Sequence, residues 1–290
     1  MNKFLILLFS VVSSFIYSQN ISVKVIAEYE DTLRIIAHKV MNGETQEERE
    51  IANTAFISEF TEVIQYPNSY NYPFDSLVTI SKLSPSDNSF RLFNWILKND
   101  DGSCEYFAYI ILKKEKDELN TIIKLVDNKT NILSENSVLN KDMWYGALYY
   151  KLISPKKKKN DYYTLLAWDG GKPNSIVKII DVLQIKNDSI YLGKDIFING
   201  KEKKKRVIIE YNANTSASVR YDEKQNRIVL DHLIPLKENQ DGFDQFFVPD
   251  GSYDSYNYKN GKWIFNEDVD VRSKTNLPKI TKNKKGLFKD

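Results

Sequence analysis

Residues 256–265 read Tyr-Asn-Tyr-Lys-Asn-Gly-Lys-Trp-Ile-Phe. Asn260-Gly261 is the preferred pair for a two-residue type I′ turn, because both central residues of that turn need positive φ. A turn there sets Tyr258 across from Trp263 and Tyr256 across from Phe265, with Asn257 and Ile264 on the other face. The stretch is therefore a β-hairpin, and the pattern recurs upstream. Asn187-Asp188 sits between Leu183–Lys186 and Ser189–Leu192, which opposes Ile185 to Ile190 and Leu183 to Leu192 on one face. Phe90–Lys98 and Cys104–Lys113 flank a turn-rich Asn-Asp-Asp-Gly-Ser, and Trp144–Ile153 and Tyr162–Trp168 flank Ser154-Pro155 and the lysines 156–159. With Thr121–Val126, Val207–Tyr211 and Ile228–Ile234 added, about ten or more antiparallel strands are expected.

Helical spacing is confined to the N-terminal part. Val25, Ile26, Tyr29, Leu33, Ile36, Ala37 and Val40 recur at three- and four-residue steps, and Asn42-Gly43 is expected to stop that helix through a left-handed glycine. Thr45 and Glu48 form a capping box for a second helix with Ala52, Phe56, Phe60, Val63 and Ile64 on its apolar face, ending before Pro67. So short a connection makes the pair an antiparallel helical hairpin. The stretch from Pro67 to Ser89 shows no period and is expected to wrap the surface. No long amphipathic helix interrupts the strands that follow, which disfavours a parallel α/β fold. The fold class is α+β, an N-terminal antiparallel helical hairpin followed by a large antiparallel β domain. The organisation is 1–18 signal peptide, 19–66 helical hairpin, 67–89 irregular connection, 90–272 β domain and 273–290 basic tail.

At the start of the chain, Lys3 precedes an apolar run from Phe4 to Tyr17 that is too short to span a bilayer, and Ser18 is a small residue at the right distance for cleavage. A secretory signal peptide is expected, with the mature chain starting at Gln19 and no transmembrane segment left after cleavage. The location is then periplasmic, outer-membrane-associated or secreted.

Composition removes several functions. Of the 290 residues, 42% are hydrophobic, enough for a packed core. Lys+Arg 41 against Asp+Glu 39 leaves +2, so no global field recruits nucleic acid. The lysine run at 156–159 and the basic run Lys201–Arg206 read as solvated loop tips. One Cys and two His exclude a disulfide framework within the chain and a zinc site built from several Cys and His ligands.

The segments Trp144-Tyr145-Gly146-Ala147-Leu148-Tyr149-Tyr150-Lys151, Tyr163-Thr164-Leu165-Leu166-Ala167-Trp168-Asp169-Gly170, Leu230-Asp231-His232-Leu233 and Pro249-Asp250-Gly251-Ser252-Tyr253-Asp254 together resemble uncharacterised secreted and envelope proteins of Bacteroidetes-type bacteria. The likeness covers roughly the C-terminal half. It implies a cell-envelope protein, and because the family carries no known activity it transfers no catalytic residue.

Candidate chemistry is sparse. His232 lies in a strand beside Asp231, whose side chain points to the opposite face and is badly placed to orient it. His38 reads as structural, and Cys104 as a small buried hydrophobe. Asp241, Asp244, Asp250 and Asp254 occupy loop-like positions of a kind Ca²⁺ accepts, without the D-x-D-x-D-G pattern, and no metal or cofactor is assigned. Tyr253, Tyr256, Tyr258 and Trp263 cluster beside Asp250 and Asp254. Exposed, such rings would suit the C–H faces of sugars; cross-strand aromatic pairing favours a core role. The candidate binding set is Tyr253, Tyr256, Tyr258, Trp263, Asp250, Asp254 and His232. The function expected is non-catalytic binding or an accessory role, with an envelope protein or glycan as partner. The alternative is a secreted hydrolase of glycans or peptides using carboxylates and His232.

Overall fold

The computed structural model describes residues 21–114, 118–131, 134–155, 161–240 and 242–270. The expected signal peptide, the start at Gln19, the lysines at 156–159, Asp241 and the basic tail lie outside the described residues.

Two helices open the described chain, α1 (Val23–Asn42) and α2 (Gln46–Ile64). Ser22 caps α1 by accepting the Val25 N–H, and Ile26, Leu33, Ala37 and Val40 form its buried stripe. At α2 the Thr45 hydroxyl accepts the Glu48 N–H at 3.1 Å, and the Glu48 carboxylate accepts the N–H of Glu44 rather than that of Thr45. Gly43 corrects the expectation of a left-handed stop, since its φ is −56°. Its reason for being glycine is space: a Cβ there would lie 2.8 Å from the Lys39 carbonyl and 2.9 Å from Cγ of Arg49.

The strands form three sheets. The first has the order β1 (Ser81–Leu83), β2 (Phe90–Lys98), β3 (Cys104–Leu112) and β4 (Thr121–Leu125). In the second, β5 (Leu148–Ile153), β6 (Tyr163–Asp169) and the long β7 (Ser175–Lys186) pair in sequence, and β7 takes both β8 (Ser189–Leu192) and β11. The third contains β9 (Phe197–Asn199) and β10 (Glu202–Lys204), then, beyond β11 (Val207–Asn212) of the second sheet, β12 (Val219–Asp222), β13 (Arg227–Pro235), β14 (Phe247–Lys259) and β15 (Lys262–Asn266). Among the described strands every pairing is antiparallel except that of β15 with β9, which is parallel. The expected register holds at both two-residue turns, with Tyr258 opposite Trp263 and Ile185 opposite Ile190. Asn187, Asp188, Asn260 and Gly261 all have positive φ.

Three cores separate four layers. The helices pack on Phe93, Trp95, Tyr109 and Ile111 of the first sheet. The opposite face of that sheet, with Leu92 and Ile110, meets Tyr149, Leu165 and Ile179 of the second. Leu166, Ile180 and Val182, on the far face of the second sheet, meet Phe197, Ile228, Tyr256 and Trp263 of the third. Sandwiched sheets bury both faces, so β2 is buried from Phe90 to Leu97 without the usual alternation.

The connection at 67–89 does not wrap the surface as expected. Tyr70, Phe74, Leu77 and Ile80 are core residues. The cause is Arg91, buried on β2, which donates to the carbonyls of Ser69, Tyr70, Tyr72 and Pro73 and lies 4.6 Å above the Phe93 ring. Burial lowers its pKa to about 10. An irregular segment has no backbone ladder of its own, and the guanidinium supplies the missing donors. The basic run at 201–206 is also corrected: Arg206 is fully buried, not at a solvated tip.

Candidate functional site

The aromatic hairpin is mostly core. Trp263 and Tyr256 are buried between the second and third sheets, and the Trp263 indole donates to the Thr164 hydroxyl across that interface at 3.0 Å. Tyr258 packs edge-on against Trp263 at 4.9 Å, and its hydroxyl is 2.9 Å from that of Tyr162. Tyr253 stands on the opposite face of β14, because it lies three positions, an odd step, from Tyr256, and Arg220 lies over its ring at 5.8 Å. The four rings therefore do not form one ladder, and Tyr256 and Trp263 have no face left for a ligand.

His232 acquires a partner that its neighbours in sequence do not supply. Asp231 pairs with Tyr253 and Leu233 with Pro249, so His232 faces an outward bulge at Asp250-Gly251-Ser252, where Gly251 has φ 93°. Asp254 lies opposite Leu230 and so shares the face of His232. Its Oδ2 is 2.8 Å from Nδ1 of the imidazole, and its Oδ1 accepts the Asp268 N–H. This hydrogen bond raises the His232 pKa, against a smaller opposing effect of burial. Asp231 is occupied on the other side, accepting the Ser218 N–H. Asp250 takes the N–H and hydroxyl of Ser252, and those bonds lower its pKa. Among the described residues no group of three or more His, Cys, Asp or Glu side chains is placed to hold a metal ion.

A polar cluster absent from the sequence reading joins two of the quoted segments. Buried Asp169 of the Trp-Asp-Gly segment accepts the Tyr106 hydroxyl at 2.7 Å and sits 3.1 Å from the Lys129 ammonium. Lys129 also lies 4.4 Å above the Tyr106 ring and 3.4 Å from the Gly146 carbonyl of the Trp-Tyr-Gly segment. Asp127 accepts the N–H groups of Lys129 and Gly146, and a Cβ on Gly146 would fall 2.0 Å from its carboxyl. The ammonium is thus shared by two carboxylates and a ring, an arrangement that fastens segments together. Cys104 borders the cluster, and burial raises its thiol pKa, away from a reactive thiolate. Asp127 and Lys129 lie in an unremarkable loop and their partners are distant in sequence, so no local signal marks them.

Open, apolar-walled space lies on the helical hairpin. A groove of about 560 Å³ runs between α1 and residues 76–79, lined by Arg34, Ile35, His38, Lys39, Leu77 and Val78. A second, of about 410 Å³, lies between the helices and includes Ile36, Lys39, Glu47, Glu48 and Ile51. Ile35 is 55% exposed, Ile51 63% and Val78 85%. A polar cleft of about 490 Å³ is lined by Ser84, Ser86, Lys151, Ser154, Tyr221 and Glu223. There Lys151 faces Glu223 at 3.8 Å and Ser154 accepts the Ser86 N–H. No helix among the described residues is long and apolar enough to cross a membrane. Compared with family models, curated proteins and solved structures, the chain has no match.

Proposed function

We propose that this chain is an exported cell-envelope protein that acts by binding a protein partner rather than by catalysis. The observation that carries the reading is the position of its open apolar surface. Ile35, Ile51 and Val78 stand exposed beside two grooves on the helical hairpin, where large apolar side chains cost solvation unless something covers them. Lys129, a group suited to acid–base chemistry, is held by Asp169 and Asp127. The N-terminal apolar run and the resemblance to Bacteroidetes-type envelope proteins support export. Fractionation of cells carrying the full-length gene, with intact-mass analysis, tests it. A chain beginning at Gln19 in the envelope or medium is expected, and a cytosolic chain retaining Met1 would overturn export.

The hydrolase reading draws on one observation, the carboxylate-oriented imidazole of His232. Against it, the nearby Ser252 hydroxyl donates to Asp250 rather than to the imidazole. Turnover of a glycan or peptide panel that disappears in His232→Ala would establish catalysis and displace the binding reading.

A further inference from the structure

We infer that the groove between α1 and the turn at Ser76–Thr79 receives an acidic, apolar segment of a partner protein. The inference rests on the binding reading and specifies its surface and partner. The turn is fixed before any partner arrives. The Ser76 N–H donates to buried Glu30 at 2.7 Å, Leu77 is buried, and the Lys82 ammonium holds the Leu77 carbonyl at 2.8 Å. Val78 is thereby presented to solvent on a braced backbone, opposite Ile35, which lies off the buried stripe of α1. Preformed surfaces lose little ordering entropy on binding.

Charge selects the partner. Arg34, His38 and Lys39 line this groove and no carboxylate does. Among the described residues neither Arg34 nor Lys39 has a carboxylate within ion-pair distance. A segment with an apolar side chain between Ile35 and Val78 and carboxylates toward Arg34 and Lys39 satisfies both walls. A glycan would leave the isoleucine and valine unmatched. An anionic bilayer would match the charge, but a concave groove walled on two sides suits a peptide better than a flat surface.

The test is selection of a displayed library of short random peptides on the full chain, with counter-selection on Val78→Asp. Enrichment of sequences with apolar residues flanked by Asp or Glu is expected. A labelled enriched peptide should bind at least about tenfold more weakly to Val78→Asp and to Arg34→Glu, a change of about 1.4 kcal/mol, and raised salt should weaken it. Both variants alter exposed positions, and unchanged thermal melting confirms that they fold. Absence of enrichment, basic consensus sequences, or preferential retention on phosphatidylglycerol vesicles would overturn the proposal. If the tagged chain captures an envelope protein that Val78→Asp captures equally, the groove is refuted while the binding reading stands.

Discussion

Nε of Arg206 lies 3.4 Å from Oδ2 of Asp181, with the two side chains 0% and 1% exposed. The guanidinium also donates to the carbonyls of Ser137 and Leu192, and the other oxygen of Asp181 accepts the Val182 N–H. Burial pushes the Asp181 carboxyl pKa up, with Arg206 opposing it. Removing one member leaves an uncompensated charge in a dry site, so Asp181→Ala should cost about 3–5 kcal/mol. Replacing both with apolar residues, as in Asp181→Leu with Arg206→Met, should recover much of that loss. Urea denaturation of the three proteins decides it. A single variant as stable as wild type would mean that water reaches the pair.

Trp263→Ala should destabilise by about 3–5 kcal/mol through lost burial and the cavity left behind. It also deprives the Thr164 hydroxyl of its indole donor in a buried interface. The expected readout is a large fall in melting temperature; a protein that melts like wild type would put the ring outside the core.

Thr45→Ala should cost about 1 kcal/mol, because the hydroxyl satisfies an otherwise orphan N–H at the start of α2. Glu48→Ala should cost less, since its carboxylate serves the exposed Glu44 N–H. Equal denaturation midpoints for Thr45→Ala and wild type would contradict the cap.

The features legible in the sequence are those whose causes are local. Asn187-Asp188 and Asn260-Gly261 adopt positive φ and fix their hairpins, and the helix stripes and the Thr45 cap follow from three- and four-residue spacing. The distant pairings were hidden. Sheets covered on both faces lose the two-residue alternation, so β2 and β7 could be read as strands but not assigned to layers. The stretch at 67–89 looks like surface coil until Arg91 is placed beneath it. His232 and Asp254 meet diagonally across β13 and β14, beside the register shift after Asp231, and the Asp127, Lys129 and Asp169 cluster depends on a contact spanning 40 residues. The aromatic quartet is divided for a simpler reason: parity along β14 sets Tyr253 on the face opposite Tyr256 and Tyr258.

The His232–Asp254 pair makes stability depend on pH in a stated direction. Its hydrogen bond raises the imidazole pKa above the ordinary 6.5, aided by the charges of Asp254, Asp250 and Glu267 and opposed by burial. A histidine with a folded pKa above its unfolded value binds its proton more tightly when folded. Its contribution is therefore complete below the unfolded pKa and is lost as pH rises through the folded one. The side chain is 37% exposed, so solvent screening keeps the effect modest. Urea midpoints should fall as pH rises from the ordinary 6.5 through the higher folded value, and His232→Gln should remove that part of the slope. NMR separates this from other titrations: the His232 ring should titrate above 6.5 in wild type and move back toward that value in Asp254→Asn. A wild-type ring titrating at or below 6.5 would show that the carboxylate does not hold the proton in solution, and the pH argument would fall with it.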